Sequence, residues 1–102
     1  MKVGDRNVEL DKDGFMVDPG QWDDTIARAI AGEEGIEQMT EDHWKVVNYI
    51  RDYWKVNDLA PAVRLICTDV GLGVRQIYRL FTSGPARGAC RVAGLPKPDG
   101  CV

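Results

Sequence analysis

The stretch "TEDHWKVVNYIRDYWKVND", residues 40–58, carries the strongest helix signal in the chain. Val46, Val47, Ile50, Tyr53 and Trp54 recur at three- and four-residue steps, which puts them on one face of an α-helix. Thr40 is an N-cap residue, and Glu41 and Asp42 follow where the helix dipole is positive. A long helix with one apolar face needs neighbours to cover it, so this segment is read as the central core helix. His43, the single histidine, falls in its first turn, where a solvent-facing or locally bonded ring is expected and no chemical partner is near in sequence.

C-terminal to this helix, "PAVRLICTDVG" (61–71) reads as another with Pro61 at its first position and Gly71 at its stop. Val63, Ile66, Cys67 and Val70 form its apolar stripe, so Cys67 is expected to behave as a buried small hydrophobe. After the turn "GLG", the segment "VRQIYRLF" (74–81) repeats the pattern with Val74, Ile77, Tyr78 and Phe81, leaving Arg75 and Arg79 on another face. "SGPARGACRVAG" (83–94) predicts a last short helix whose small residues Ala86, Ala89 and Ala93 allow close docking. No regular structure is expected beyond Gly94.

Toward the beginning, "DPGQWDDTIARAIAGEEG" (18–35) predicts a short helix over about 22–31, with Trp22, Ile26 and Ile30 on one face and Gly32 near its end. "KVGDRNVELDKDGFMV" (2–17) alternates weakly and carries the turn signal Asp13-Gly14, so residues 2–9 and 14–17 are expected to pair as a small hairpin. Trp22, Trp44 and Trp54 are read as core and boundary aromatics. The fold class is therefore mainly α with a small N-terminal β-hairpin, a helical bundle resembling a winged helix-turn-helix. Residues 1–93 are expected to form the body and 94–102 a mobile C-terminal arm.

Composition bounds the function. The 102 residues, 44% apolar and 28% charged, fit one folded domain. No window has the apolar run of a signal peptide or a membrane span, and a cytoplasmic protein is expected. Residues 1–60 carry seven basic and fourteen acidic residues, while residues 61–102 carry six and two. The basic half either meets an anionic substrate or acidic partner surface, or is uneven solvated surface. A winged-helix DNA-binding regulator is the competing class. A pI near 5.0 and few basic residues make its phosphate-neutralising contribution small.

Three cysteines, an odd number without a CxxC pair and far from His43, argue against a structural disulfide framework and against a structural zinc site. Cys90 lies near the end of the last predicted helix, with Arg87 and Arg91 close in sequence and Lys97 within reach of a folded arm, and cations favour its thiolate. Cys101 stands behind "LPKPDG", where prolines stiffen and glycines bend the tether. Closing a Cys90–Cys101 loop costs about 3 kcal/mol in chain entropy on the simple model. Released, residues 91–102 extend on the order of 35 to 40 Å. Such a tethered thiol can enter another protein's active site and return.

The C-terminal run "GPARGACRVAGLPKPDGCV" resembles the signature of the DsrC/TusE sulfur-carrier family, and "DGF", "EDHWKVVNYIRDYW" and "APAVRLI" extend the resemblance along nearly the whole chain. TusE-like members keep the penultimate cysteine and pass sulfur toward tRNA thiolation; DsrC-like members have a second cysteine upstream. Cys101 matches the first and Cys90 the second, so the resemblance implies the DsrC type. It implies a co-substrate of dissimilatory sulfite reductase (DsrAB), without a cofactor of its own, whose Cys101 receives a persulfide sulfur that Cys90 encloses in a trisulfide. The membrane complex DsrMKJOP would reduce that trisulfide, and other sulfurtransferases are further possible partners. Arg75, Arg79, Arg87, Arg91 and Lys97 would guide the arm to its partner. Thr82 stands where the family usually has proline in "LFPxGP", and the segment between Gly71 and Tyr78 lacks the insertion typical of TusE and of sulfur-oxidiser DsrC.

Overall fold

The computed structural model describes residues 1–84 and 87–96. Two strands, β1 (Lys2–Val3) and β2 (Arg6–Asn7), precede five helices: α1 (Asp24–Glu33), α2 (Glu41–Asn57), α3 (Val63–Val70), α4 (Val74–Leu80) and α5 (Arg87–Val92). The strands pair antiparallel in the register Lys2 with Asn7 and Val3 with Arg6. Their turn is Gly4-Asp5, not Asp13-Gly14. Around the latter, the Asp11 carboxylate accepts the amides of Asp13 and Phe15 at 2.9 and 3.0 Å. That local capping limits the second pairing to one bridge, Leu10 with Met16, so the expected long hairpin is replaced by two short ones.

Helix α1 begins later than its sequence suggests. The Asp23 carboxylate caps it by accepting Ile26 N–H at 3.0 Å, and a single 3-10 turn at Pro19–Gln21 delivers the chain to that cap. Trp22 therefore precedes the helix in extended backbone, off the expected face. The far end is closed by Gly35, at φ 84°, with Ile36 N–H on Ala31 O and Gly35 N–H on Gly32 O; Gly32 is a helical residue.

Helix α2 starts at Thr40 as expected, with a capping box completed by His43. Its buried face is His43, Val46, Val47, Ile50 and Arg51, whereas Tyr53 and Trp54 are half-buried. Helix α3 starts at Val63, with Ala62 at its N-cap, so Pro61 lies one residue ahead of the cap rather than inside the helix. It ends at Gly71 in the left-handed conformation (φ 82°). Its only fully buried residue is Ile66; Val63, Cys67 and Val70 are half-buried. On α4, Ile77 is buried, but Val74 and Tyr78 are about half exposed (47% and 52%).

Packing explains that narrowing. Helix α5 lies against both α1 and α2, α3 lies on α2, and α4 lies on α3, with β1 on α1. The interior position belongs to α5, whose Gly88, Ala89, Cys90 and Val92 are all buried, followed by Ala93, Gly94 and Leu95. Small side chains let its backbone approach its neighbours. Helix α4, one layer further out, covers the core mainly through Ile77 and its C-cap Phe81, four residues apart on one face, with Leu80 packed against it half-buried.

Candidate functional site

Helix α5 carries Cys90, which is 1% exposed. Two arginines fix the helix from different sides. Arg91 donates from Nε to Gly14 O at 2.9 Å and pairs through Nη1 with Glu34 Oε2 at 3.2 Å. Both side chains of that pair are largely buried, at 13% and 8% exposure. Gly14 sits at φ 88°, and a Cβ there would lie 2.6 Å from the Arg91 guanidinium carbon, so glycine is needed for both reasons. Ser83 Oγ donates to the same Glu34 oxygen at 3.0 Å, while the buried Oε1 has no hydrogen-bond partner among the described residues. The pair ties α5 to the end of α1 and to the second turn of the N-terminal segment.

Arg51 of α2 approaches from the other side. Its Nη1 donates to Ala93 O at 2.9 Å and Gly94 O at 3.3 Å, and its Nη2 donates to Pro19 O at 2.7 Å. The guanidinium stacks over Trp22, 4.4 Å from the ring centroid, and lies 5.6 Å from that of Trp54. Burial pushes the Arg51 guanidinium below its usual value. Trp22 Nε1 completes the arrangement by donating to Val92 O at 2.8 Å. Gly94, at φ 73°, gives the Trp22 ring room, since a Cβ at that position would collide with it.

The start of α2 is tied to α4. His43 Nδ1 accepts Thr40 N–H at 3.0 Å, and Nε2 lies 3.0 Å from Leu80 O. These partners require the tautomer protonated at Nε2. The ring is buried and meets Phe81 edge to face at 5.3 Å. The expected local bond is present; the contact 37 residues away could not be read from sequence.

Of the residues singled out in the sequence, Cys90 is central to α5 and Arg91 is occupied inside the body. Arg75, Arg79 and Arg87 are exposed and make no ion pair among the described residues. Cys101 and Lys97 lie outside the described residues. Arg51 and Glu34 were not singled out in the sequence, and Trp22 and Gly14 were read only as a packing aromatic and a turn residue. The available signal for Arg51 was its place on the α2 stripe, four residues after Val47 and next to Ile50, where a charge is out of pattern. Among the described residues, no cluster of His, Cys, Asp and Glu could hold a metal, and no helix is long and apolar enough to cross a membrane.

A family model described as "DsrC like protein" matches residues 2–102. The chain belongs to the DsrC/TusE family. It is 40% identical over 97 residues to the dissimilatory-type sulfite reductase gamma subunit of Nitratidesulfovibrio vulgaris, covering 95% of this chain and 92% of that protein. It is 38% identical over 109 residues to a sulfurtransferase TusE homologue of Haemophilus influenzae, covering 100% and 99%. Among solved structures, the oxidised gamma subunit (DsrC) from Archaeoglobus fulgidus superposes with a TM-score of 0.88 at 40% identity, covering 99% of this chain and 97% of that one. The DsrC/gamma subunit from Pyrobaculum aerophilum gives 0.81 at 50% identity, covering 93% and 86%. This family match extends through both cysteines, Cys90 and Cys101.

Proposed function

We propose that the protein is a DsrC-type sulfur carrier and a co-substrate of dissimilatory sulfite reductase, with sulfur held between Cys90 and Cys101. The presence of both cysteines carries this reading. Cys101 would enter the reductase and take up a partly reduced sulfur atom, and Cys90 would close the trisulfide by thiol exchange chemistry. Sulfite, two thiols, two electrons and four protons give one trisulfide and three waters, so the thiols themselves supply half of the electrons taken up by the sulfur. Four further electrons and four protons, from a membrane reductase of the DsrMKJOP kind, return both thiols and release hydrogen sulfide. The residues assigned here need no cofactor on this chain.

Alignment lengths support the DsrC type over the TusE type. The match to the gamma subunit uses 97 positions for 95% of this chain, with no surplus. The TusE homologue needs 109 positions to cover all 102 residues, so it contains residues that this chain lacks, as expected from the short segment between Gly71 and Tyr78. Arg75, Arg79 and Arg87 are the outward cations suited to guiding an acidic or anion-loaded partner; Arg91 serves the body instead. The carrier segment would lie after Leu95, because Gly94 and Leu95 are buried.

The test is intact-protein mass spectrometry after incubation with sulfite reductase, limiting sulfite and an electron donor. Wild type should gain one sulfur atom bridging Cys90 and Cys101, and the bridge should vanish in Cys90→Ala and in Cys101→Ala. Absence of any adduct with a demonstrably active reductase refutes the proposal. Full physiological sulfur transfer by Cys90→Ala would instead assign the chain to the one-cysteine relay for tRNA thiolation.

A further inference from the structure

The end of α5 is closed at every carbonyl. Cys90 O accepts Leu95 N–H at 3.2 Å and Arg91 O accepts Gly94 N–H at 3.0 Å, the two bonds of a Schellman motif with Gly94 in the left-handed position. Those bonds belong to the backbone. The next two carbonyls, of Val92 and Ala93, are taken by Trp22 and Arg51, which lie 70 and 42 residues away in sequence. Arg51 also reaches Gly94 O, the last carbonyl before the buried Leu95.

Arg51 is an expensive way to cover a helix end. It is a buried cation, and no carboxylate lies within ion-pair distance of it among the described residues. Three carbonyls and two aromatic faces compensate its charge. A well-packed apolar side chain would serve stability as well or better. What an apolar side chain cannot do is hold two successive carbonyls in fixed directions.

We propose that Arg51, with Trp22, is a positioning residue for sulfur transfer: it fixes the backbone between Cys90 and the C-terminal segment, so that Cys101 returns to Cys90 from a defined origin. The inference rests on the reading of Cys90 and Cys101 as the sulfur-bearing pair. Of the ten residues between the cysteines, Arg91 to Leu95 are held by the contacts above. Residues already held lose no further freedom when the ring closes, which raises the effective concentration of one thiol at the other.

The experiment uses the reduced full chain and glutathione disulfide. Cys101 thiolate attacks the disulfide, releasing one glutathione and leaving a mixed disulfide; Cys90 thiolate then attacks the Cys101 sulfur, releasing the second glutathione and closing the bridge. Acid quenching and intact mass separate the two steps. Dividing the closure rate by the rate at which free glutathione attacks the mixed disulfide of Cys90→Ala gives the effective concentration. Freeing a few residues at the root should lower it about five- to tenfold in Arg51→Lys, and about two- to threefold in Trp22→Phe, which keeps an aromatic ring but loses the Nε1 donor.

Both variants are measured where circular dichroism shows them folded, and the first step should proceed at the wild-type rate. A purely structural role would lower the melting temperature and leave the effective concentration unchanged. Closure as fast as wild type, or faster, in both folded variants overturns the positioning role alone. If wild type itself forms no Cys90–Cys101 bridge, the reading of the cysteine pair falls, and the positioning role with it.

Discussion

Replacing Gly94 by alanine tests the packing at the end of α5, and Gly71→Ala is its control. Both glycines sit at a helix end with left-handed backbone, φ 73° and 82°. They differ in their surroundings: nothing lies within 4 Å of a Cβ built on Gly71, whereas one built on Gly94 collides with the Trp22 ring and comes within 2.9 Å of Arg51 Nη1. The left-handed conformation costs an L-residue about 1 kcal/mol, and Gly71→Ala should cost that alone. At Gly94, forced repacking adds about 1–3 kcal/mol and displacement of the Trp22 indole from Val92 O adds about 1 kcal/mol. Gly94→Ala should therefore lose about 3–5 kcal/mol. In a domain of this size, that lowers the melting temperature by roughly 15–30 °C. Urea unfolding followed by circular dichroism reads the difference directly. In a Trp22→Ala background the clash with the ring disappears and only the contact with Arg51 Nη1 remains, at the far end of a long side chain, so Gly94→Ala should cost only about 1–2 kcal/mol. Equal losses at Gly94 and Gly71 in the wild-type background would refute the close approach of Trp22 to the helix end.

Two further outcomes follow from ionic contacts. Arg91→Ala should destabilise by about 3–5 kcal/mol in urea, because it strands a buried Glu34 carboxylate whose only other donor among the described residues is Ser83. Arg6→Ala should shift the urea midpoint far less, since Arg6 and Asp23 are 46% and 49% exposed and water and salt screen the pair. Similar losses in the two variants would contradict the distinction. Tyr49 donates to Asp69 Oδ2 at 2.6 Å, and this bond, with burial and the aspartate charge, raises the phenol from 10.0 to about 12. Because the folded value exceeds the unfolded one, the contribution is intact below pH 10 and is lost as pH rises toward 12. Phenolate absorbance should show Asp69→Asn returning Tyr49 toward 10, and an unchanged titration would rule out the bond as the cause.

The parts of the fold legible in sequence are those set by local chemistry. Thr40, Glu41 and Asp42 start α2 because a cap and a dipole act within one turn, and Gly71 ends α3 because only backbone conformation is at stake. Trp22 was misplaced because it shares the helical spacing of Ile26 and Ile30, and spacing does not reveal that Asp23, between them, takes the cap. Val74 and Tyr78 fit an apolar stripe in sequence, yet the stripe's width depends on how much of α4 another layer covers. The place of Cys90 near the end of the last helix was legible. The arginines that secure it were not, because all but one of their acceptors are carbonyls distant in sequence, which carry no residue identity, and the exception, Glu34, is one of many carboxylates in the N-terminal half.

The basic residues of the C-terminal half thereby divide by the medium in which they act. Arg91 works at low exposure, where a charge is held by fixed partners and salt screens it little. The Arg51 clamp on α2 obeys the same physics. Arg64, Arg75, Arg79 and Arg87 are exposed and make no ion pair among the described residues, so their field extends into solvent over a Debye length of about 8–10 Å. Encounter with a partner and return of Cys101 to Cys90 consequently draw on different forces in the proposed carrier. Ionic strength weakens the first, while the second depends on buried contacts at the root of the C-terminal segment. In the proposed carrier, a chain with a net charge of −3 would thus steer by its basic half without using the residues that hold α5 in place.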